Sequence, residues 1–127
     1  MAIYVYPAEH YDCWNQELGD QLRLPQFGEN LTISGITESE VHVGDKWQWG
    51  SALVEVSKPR QPCYKLRYHL SIADIEARMW ANGMCGWYLR VLEPGLVPTT
   101  GEITILDRII TSPTIAEVLQ AKRSKNQ

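Results

Sequence analysis

The chain has 127 residues, of which 44% are hydrophobic and 21% charged, with a formal net charge of −3. Such a length makes one domain, spanning 1–127, long enough to bury a core. The charge gives no electrostatic basis for binding nucleic acid or an anionic membrane, and no apolar run approaches the roughly 18 residues of a spanning helix.

Ile3-Tyr4-Val5-Tyr6 is β-branched and aromatic and predicts a short strand. Pro7 suits the first turn of a following helix, whose positive end favours Glu9 and Asp12. Tyr11, Trp14 and Leu18 share one helical face, and Gly19 with Asp20 ends it. Phe27 to Ile33 reads as a glycine turn entering a strand. Thr37 to Glu40 is a polar loop or a single helical turn, and Val41-His42-Val43 leads into a tight turn at Gly44-Asp45. Lys46-Trp47-Gln48-Trp49 and Ala52 to Val56 alternate around Gly50-Ser51, the pattern of a β-hairpin.

After the segment Lys58 to Leu66, Ser71 is the expected N-cap of a helix carrying Ile72, Ile75 and Met79 on one face. Asn82-Gly83 stops that helix. Trp87 to Leu92 predicts a strand, Glu93-Pro94-Gly95 a turn, Pro98 to Gly101 a loop, and Glu102 to Ile110 a strongly alternating strand. Pro113 opens a last helix with Ile115, Val118 and Leu119 inward. Lys122, Arg123 and Lys125 match its negative end, and the tail beyond should fray. Six short strands with scattered helices make a mainly β fold with peripheral α-helices, a barrel rather than a doubly wound sheet.

Three cysteines, Cys13, Cys63 and Cys85, with no basic-then-apolar leader, argue against a disulfide framework and for a reducing cytoplasm. No Cys-x-x-Cys spacing exists for structural zinc. Cys63 stands out. It lies between prolines 59 and 62 and Tyr64, with Arg60 and Lys65 as near cations. Positive charge favours the thiolate, which is the nucleophilic and metal-binding form. The plainer reading is a buried small hydrophobe with two solvated cations beside it. Glu29 either caps a backbone amide or pairs with Arg60. His10, His42 and His69 have no ligand spacing, and His69 lies nearest the cysteine segment.

Tyr4 to Trp14, Phe27-Gly28-Glu29-Asn30-Leu31, Gly44-Asp45, Pro59-Arg60-Gln61-Pro62-Cys63-Tyr64-Lys65-Leu66 and Gly86-Trp87-Tyr88 occur here in the order found in MOSC domains. Over nearly its whole length the chain resembles the bacterial branch similar to the molybdenum-cofactor enzymes that reduce N-hydroxylated bases such as 6-hydroxylaminopurine. The resemblance implies a β-barrel with peripheral helices. It implies a pterin-bound molybdenum (molybdopterin) ligated by Cys63, with Arg60 or Lys65 holding anionic cofactor groups. Gly28, Glu29 and Asn30 would shape the cofactor-side loop, with Asn30 offering amide donors. Family members carry a strand and a His-Gly-Gly motif upstream of Ala2-Ile3-Tyr4, and a helical C-terminal extension, so this chain reads as a trimmed core. A barrel short of its first strands has an open edge, so Ile3 to Tyr6 or a neighbouring strand is expected to pair with a second subunit in a homodimer. Two further readings stand beside cofactor chemistry: a small-molecule or protein-binding module without cofactor, and a metal-free thiol activity at Cys63.

Overall fold

The computed structural model describes residues 2–19 and 22–125. Along the chain lie β1 (Ala2–Pro7), α1 (Glu9–Leu18), β2 (Leu31–Ile33), β3 (Lys46–Trp49) and β4 (Ala52–Pro59). Then come α2 (Leu66–Leu70), α3 (Ile75–Asn82), β5 (Trp87–Glu93), β6 (Ile103–Asp107) and α4 (Ile115–Lys125). The strands form one sheet in the order β2-β1-β5-β4-β3-β6. β1 and β2 run parallel, and the other neighbours are antiparallel. Both end strands, β2 and β6, line one cavity without bonding to each other. The sheet therefore curls into an open half-barrel, which is the mainly β fold with peripheral helices that the strand pattern implies.

Two cores follow from strand periodicity. Val5 of β1 faces the concave side, packing in a cluster with Trp47, Val54, Val56, Trp87 and Leu89. Trp47 and Trp87 meet there edge to face, 6.1 Å between ring centres. Tyr4 and Tyr6 face the other side, in a cluster with Tyr11, Trp14, Phe27 and Met79. Tyr6 stacks on Phe27 at 4.3 Å, and the Trp14 indole N–H donates to the Tyr6 hydroxyl at 2.8 Å. β1 is thus buried on both faces, which is why its run is apolar and aromatic throughout.

Several expectations change. Pro7 is the last residue of β1, and Ala8 precedes the helix. Ser71 is not an N-cap. It has φ +59 and closes α2, a short helix that buries Leu66 and Leu70, and α3 starts after Asp74. A residue in the left-handed region ends a helix and cannot begin one. β1 is not an edge. It bonds to β2 on one side and β5 on the other, because Leu31–Ile33 runs back alongside it. The last strand is shorter than its alternating pattern, covering Ile103–Asp107. Gly19 caps α1 in the left-handed region, whereas Asp20 and the expected frayed tail after Lys125 lie outside the described residues. No helix among the described residues is long and apolar enough to cross a membrane.

Candidate functional site

β4 ends at Pro59 and the chain leaves the sheet with the Arg60 backbone N–H donating to the Gly86 carbonyl at 3.2 Å. That bond aims the Arg60 side chain across Tyr4. Its guanidinium carbon sits 4.5 Å from the Tyr4 ring centre, and Nη1 donates to the Phe27 carbonyl at 2.7 Å. Tyr88 packs on Tyr4 with ring centres 5.6 Å apart. Burial works against the Arg60 charge, but Tyr4, Tyr88 and Cys63 outweigh it and hold the pKa above its ordinary value. Arg60 is therefore a fixed, partly buried cation. Burial also raises the Tyr4 hydroxyl, with Arg60 opposing it, so the phenol stays protonated and acts as a donor.

Cys63 lies three residues further along, free and half-buried, in the short coil before α2. Its carbonyl accepts the Leu66 N–H at 3.0 Å, which starts the α2 turn. Lys65 is exposed at the entry to α2.

The loop 28–30 approaches the same region through Tyr4. Asn30 exchanges two bonds with it: its Oδ1 accepts the Tyr4 N–H at 2.8 Å and its own N–H reaches the Tyr4 carbonyl at 2.9 Å. Asn30 is exposed and its oxygen is occupied, which leaves its amide nitrogen to donate. Gly28 has φ +85 with open space where a Cβ would stand. Glu29 is buried and does not pair with Arg60. Its carboxylate accepts from the Tyr11 hydroxyl at 2.6 Å, the Phe27 N–H at 3.1 Å and the Thr32 hydroxyl at 3.1 Å. It holds the loop in shape, the backbone-capping alternative of the two.

No motif along the chain announces the support beneath Arg60. Three successive residues are each held by a separate side chain. Tyr6 donates to the Met84 carbonyl at 2.8 Å, Tyr4 to the Cys85 carbonyl at 2.6 Å, and the Gly86 N–H donates to Glu38 at 2.8 Å. Glu38 is 5% exposed and meets His10 Nε2 at 2.7 and 2.9 Å. Neither residue has diagnostic spacing, and the polar run 37–40 hides one buried carboxylate between half-buried Thr37 and exposed Ser39 and Glu40. The best local signal was Gly86: with φ +73, a Cβ there would lie 2.2 Å from the Val5 carbonyl oxygen.

The other candidates separate from this cluster. Cys85 is buried against Met79, and burial, with help from Glu38, pushes its thiol up to about 12. It is an inert packing residue. Cys13 is exposed on α1. His42 Nδ1 bonds the Ser112 carbonyl at 2.7 Å, and His69 is exposed on α2. Among the described residues no three His, Cys, Asp or Glu side chains converge as a metal cage. The cavity between β2 and β6, about 590 Å³, is lined by Thr32, Ser34, Trp47, Trp49, Thr99 and Arg108 among others, and by none of the residues around Cys63.

With this geometry in view, comparison with known proteins adds four findings. A family model described as MOSC domain matches residues 1–104. Protein YiiM of Escherichia coli (strain K12) is 45% identical over 111 residues, covering 85% of this chain and 50% of YiiM. A protein described as a reductase from Gibberella moniliformis is 30% identical over 129 residues, covering 98% of this chain and 23% of that protein. The crystal structure of YiiM from Geobacillus stearothermophilus superposes with a TM-score of 0.93 at 34% identity, covering 98% of this chain and 64% of the other. The chain thus spans half the length of the E. coli relative.

Proposed function

The chain belongs to the MOSC domain family, and from that premise we propose that it binds the molybdenum cofactor with Cys63 as metal ligand. The reaction proposed for it is the two-electron reduction of N-hydroxylated compounds. The observation that carries this reading is a partly exposed thiol three residues along the chain from a partly buried guanidinium held over the Tyr4 ring.

The residues suit such a group. A thiolate is a soft ligand for a polarizable metal. A single protein sulfur suits a metal whose other ligands arrive with the cofactor. Arg60 commits one N–H to Phe27 and keeps the rest of its fork for an anionic cofactor group. Asn30 offers an amide donor from the facing loop. Tyr4 fixes the guanidinium plane, so little side-chain freedom is lost on binding. Bound cofactor supplies the redox-active metal, and the protein orients it. In the overall reaction an N–O bond breaks, two electrons and two protons enter, and an amine and water leave.

A second reading is favoured by one observation: the open cavity of about 590 Å³ contains no candidate cofactor residue. Its Trp47 and Trp49 walls and hydroxyl rim suit a small-molecule binding module that works without cofactor.

Expression in a host that makes molybdenum cofactor tests both. Molybdenum and pterin bound in stoichiometric amounts, and lost in Cys63→Ser, is the expected result. A folded protein that leaves such a host without either overturns the cofactor reading and leaves the binding module.

A further inference from the structure

The half-barrel has two open edges, and they differ. β2 is three residues long and uncharged, with Leu31, Thr32 and Ile33 bonded to β1 on one side. β6 is five residues long and, among the described residues, bonds only to β3. It carries neither proline nor lysine, the residues that commonly blunt an exposed edge. Its protective features are the exposed Asp107 at its end and a register shift at Leu106, where Lys46 pairs with Asp107 but Trp47 pairs with Ile105. Leu106 is nevertheless 52% exposed, and Ile110 just beyond is 75% exposed.

The charges flanking β6 give the edge a specific complement. Glu102 precedes the strand and Arg108 follows it. Both are exposed, and among the described residues neither makes an ion pair. Opposite charges at the two ends of one strand meet their opposites when the strand pairs antiparallel with its own copy. In the register centred on Ile105, Glu102 lies across from Arg108 of the second copy, and Arg108 across from Glu102. Shifting by one step in either direction loses both pairs. The same register places Ile105 against its own copy on the two-fold axis and Leu106 across from Thr104.

We propose that β6 is a self-association edge: it pairs antiparallel with β6 of a second copy of this chain, in the register that joins Glu102 to Arg108 twice. The interface is isologous, so each substitution acts at two places. It extends the sheet and covers Leu106.

Sedimentation velocity on the 127-residue chain across the micromolar range tests this, with circular dichroism to verify folding. The wild type sediments as a dimer. Glu102→Arg and Arg108→Glu each set like charges face to face twice and raise the dimer dissociation constant about tenfold or more. Both positions are exposed, so the fold persists. Mixing the two single variants restores association as a mixed dimer, and the double variant associates with itself. A wild-type monomer overturns the proposal, whether the edge stays open or another polypeptide strand fills it. A dimer indifferent to both charge reversals overturns it as well.

Discussion

Arg60 lies over Tyr4 at 4.5 Å while the Tyr4 hydroxyl donates to the Cys85 carbonyl at 2.6 Å. One side chain thus serves the site with its ring face and the fold with its hydroxyl. The two roles come apart by substitution. Tyr4→Phe keeps the ring but orphans a buried carbonyl, and should cost about 1–3 kcal/mol in urea unfolding. Tyr4→Leu also removes the surface beneath the guanidinium, worth roughly another 0.5–2 kcal/mol. Only Tyr4→Leu should weaken cofactor retention. Equal retention in the two variants would mean that the ring does not position Arg60.

Two glycines with left-handed backbones should respond differently to alanine. At Gly28 nothing stands within 4 Å of the added carbon, so only backbone strain remains, roughly 1–2 kcal/mol. At Gly86 the carbon would meet the Val5 carbonyl at 2.2 Å and the Tyr4 ring at 2.8 Å. β1 is internal and cannot retreat, so Gly86→Ala should cost more than about 4 kcal/mol or fail to yield folded protein. Thermal or urea unfolding of the pair reads this directly, and similar losses would mean that β1 yields.

Much of this architecture was legible because it rests on local periodicity. The Tyr4–Tyr6 run, the Trp47/Trp49 hairpin and the Tyr11/Trp14 face all follow from spacing alone. Leu66 and Leu70, a single pair four apart, were too short a signal for α2, and Ser71 then looked like a beginning rather than an end. The site divides the same way. Cys63 and Arg60 stand out by chemistry along one segment. Glu38 and His10 do not, because their meaning is a contact across 28 residues. The internal place of β1 was not legible either, since nothing local says that Leu31–Ile33 returns to it.

The Glu38–His10 contact makes a strong claim about stability. Both groups are buried, and Glu38 also accepts the Gly86 N–H at 2.8 Å. Glu38→Leu or His10→Leu alone strands a polar partner and should cost about 3–5 kcal/mol. The double variant should cost clearly less than the sum, because neither side chain is stranded by loss of the other and only the Gly86 N–H is left without its acceptor. Additive losses in a double-mutant cycle would show that the two residues act independently.

Alkaline unfolding should report Cys85. In the unfolded chain its thiol titrates at the ordinary 9.0, and in the folded protein burial holds it protonated to about 12. Below pH 9 both states keep the proton and the stabilising effect is complete. Between these values the unfolded state binds fewer protons, so stability falls as pH rises, by up to about 1.4 kcal/mol per pH unit for this one group. Tyr4 and Tyr6, also raised by burial, add the same sign above their ordinary 10.0. Between pH 9 and 10 the thiol is therefore the largest single contributor, ahead of each of Tyr4, Tyr6 and Tyr11. Cys85→Ala starts from lower stability, because it leaves a small void, yet should lose less over that interval than the wild type does. Urea midpoints at closely spaced pH values measure both slopes, and parallel lines would show that Cys85 ionises alike in the two states.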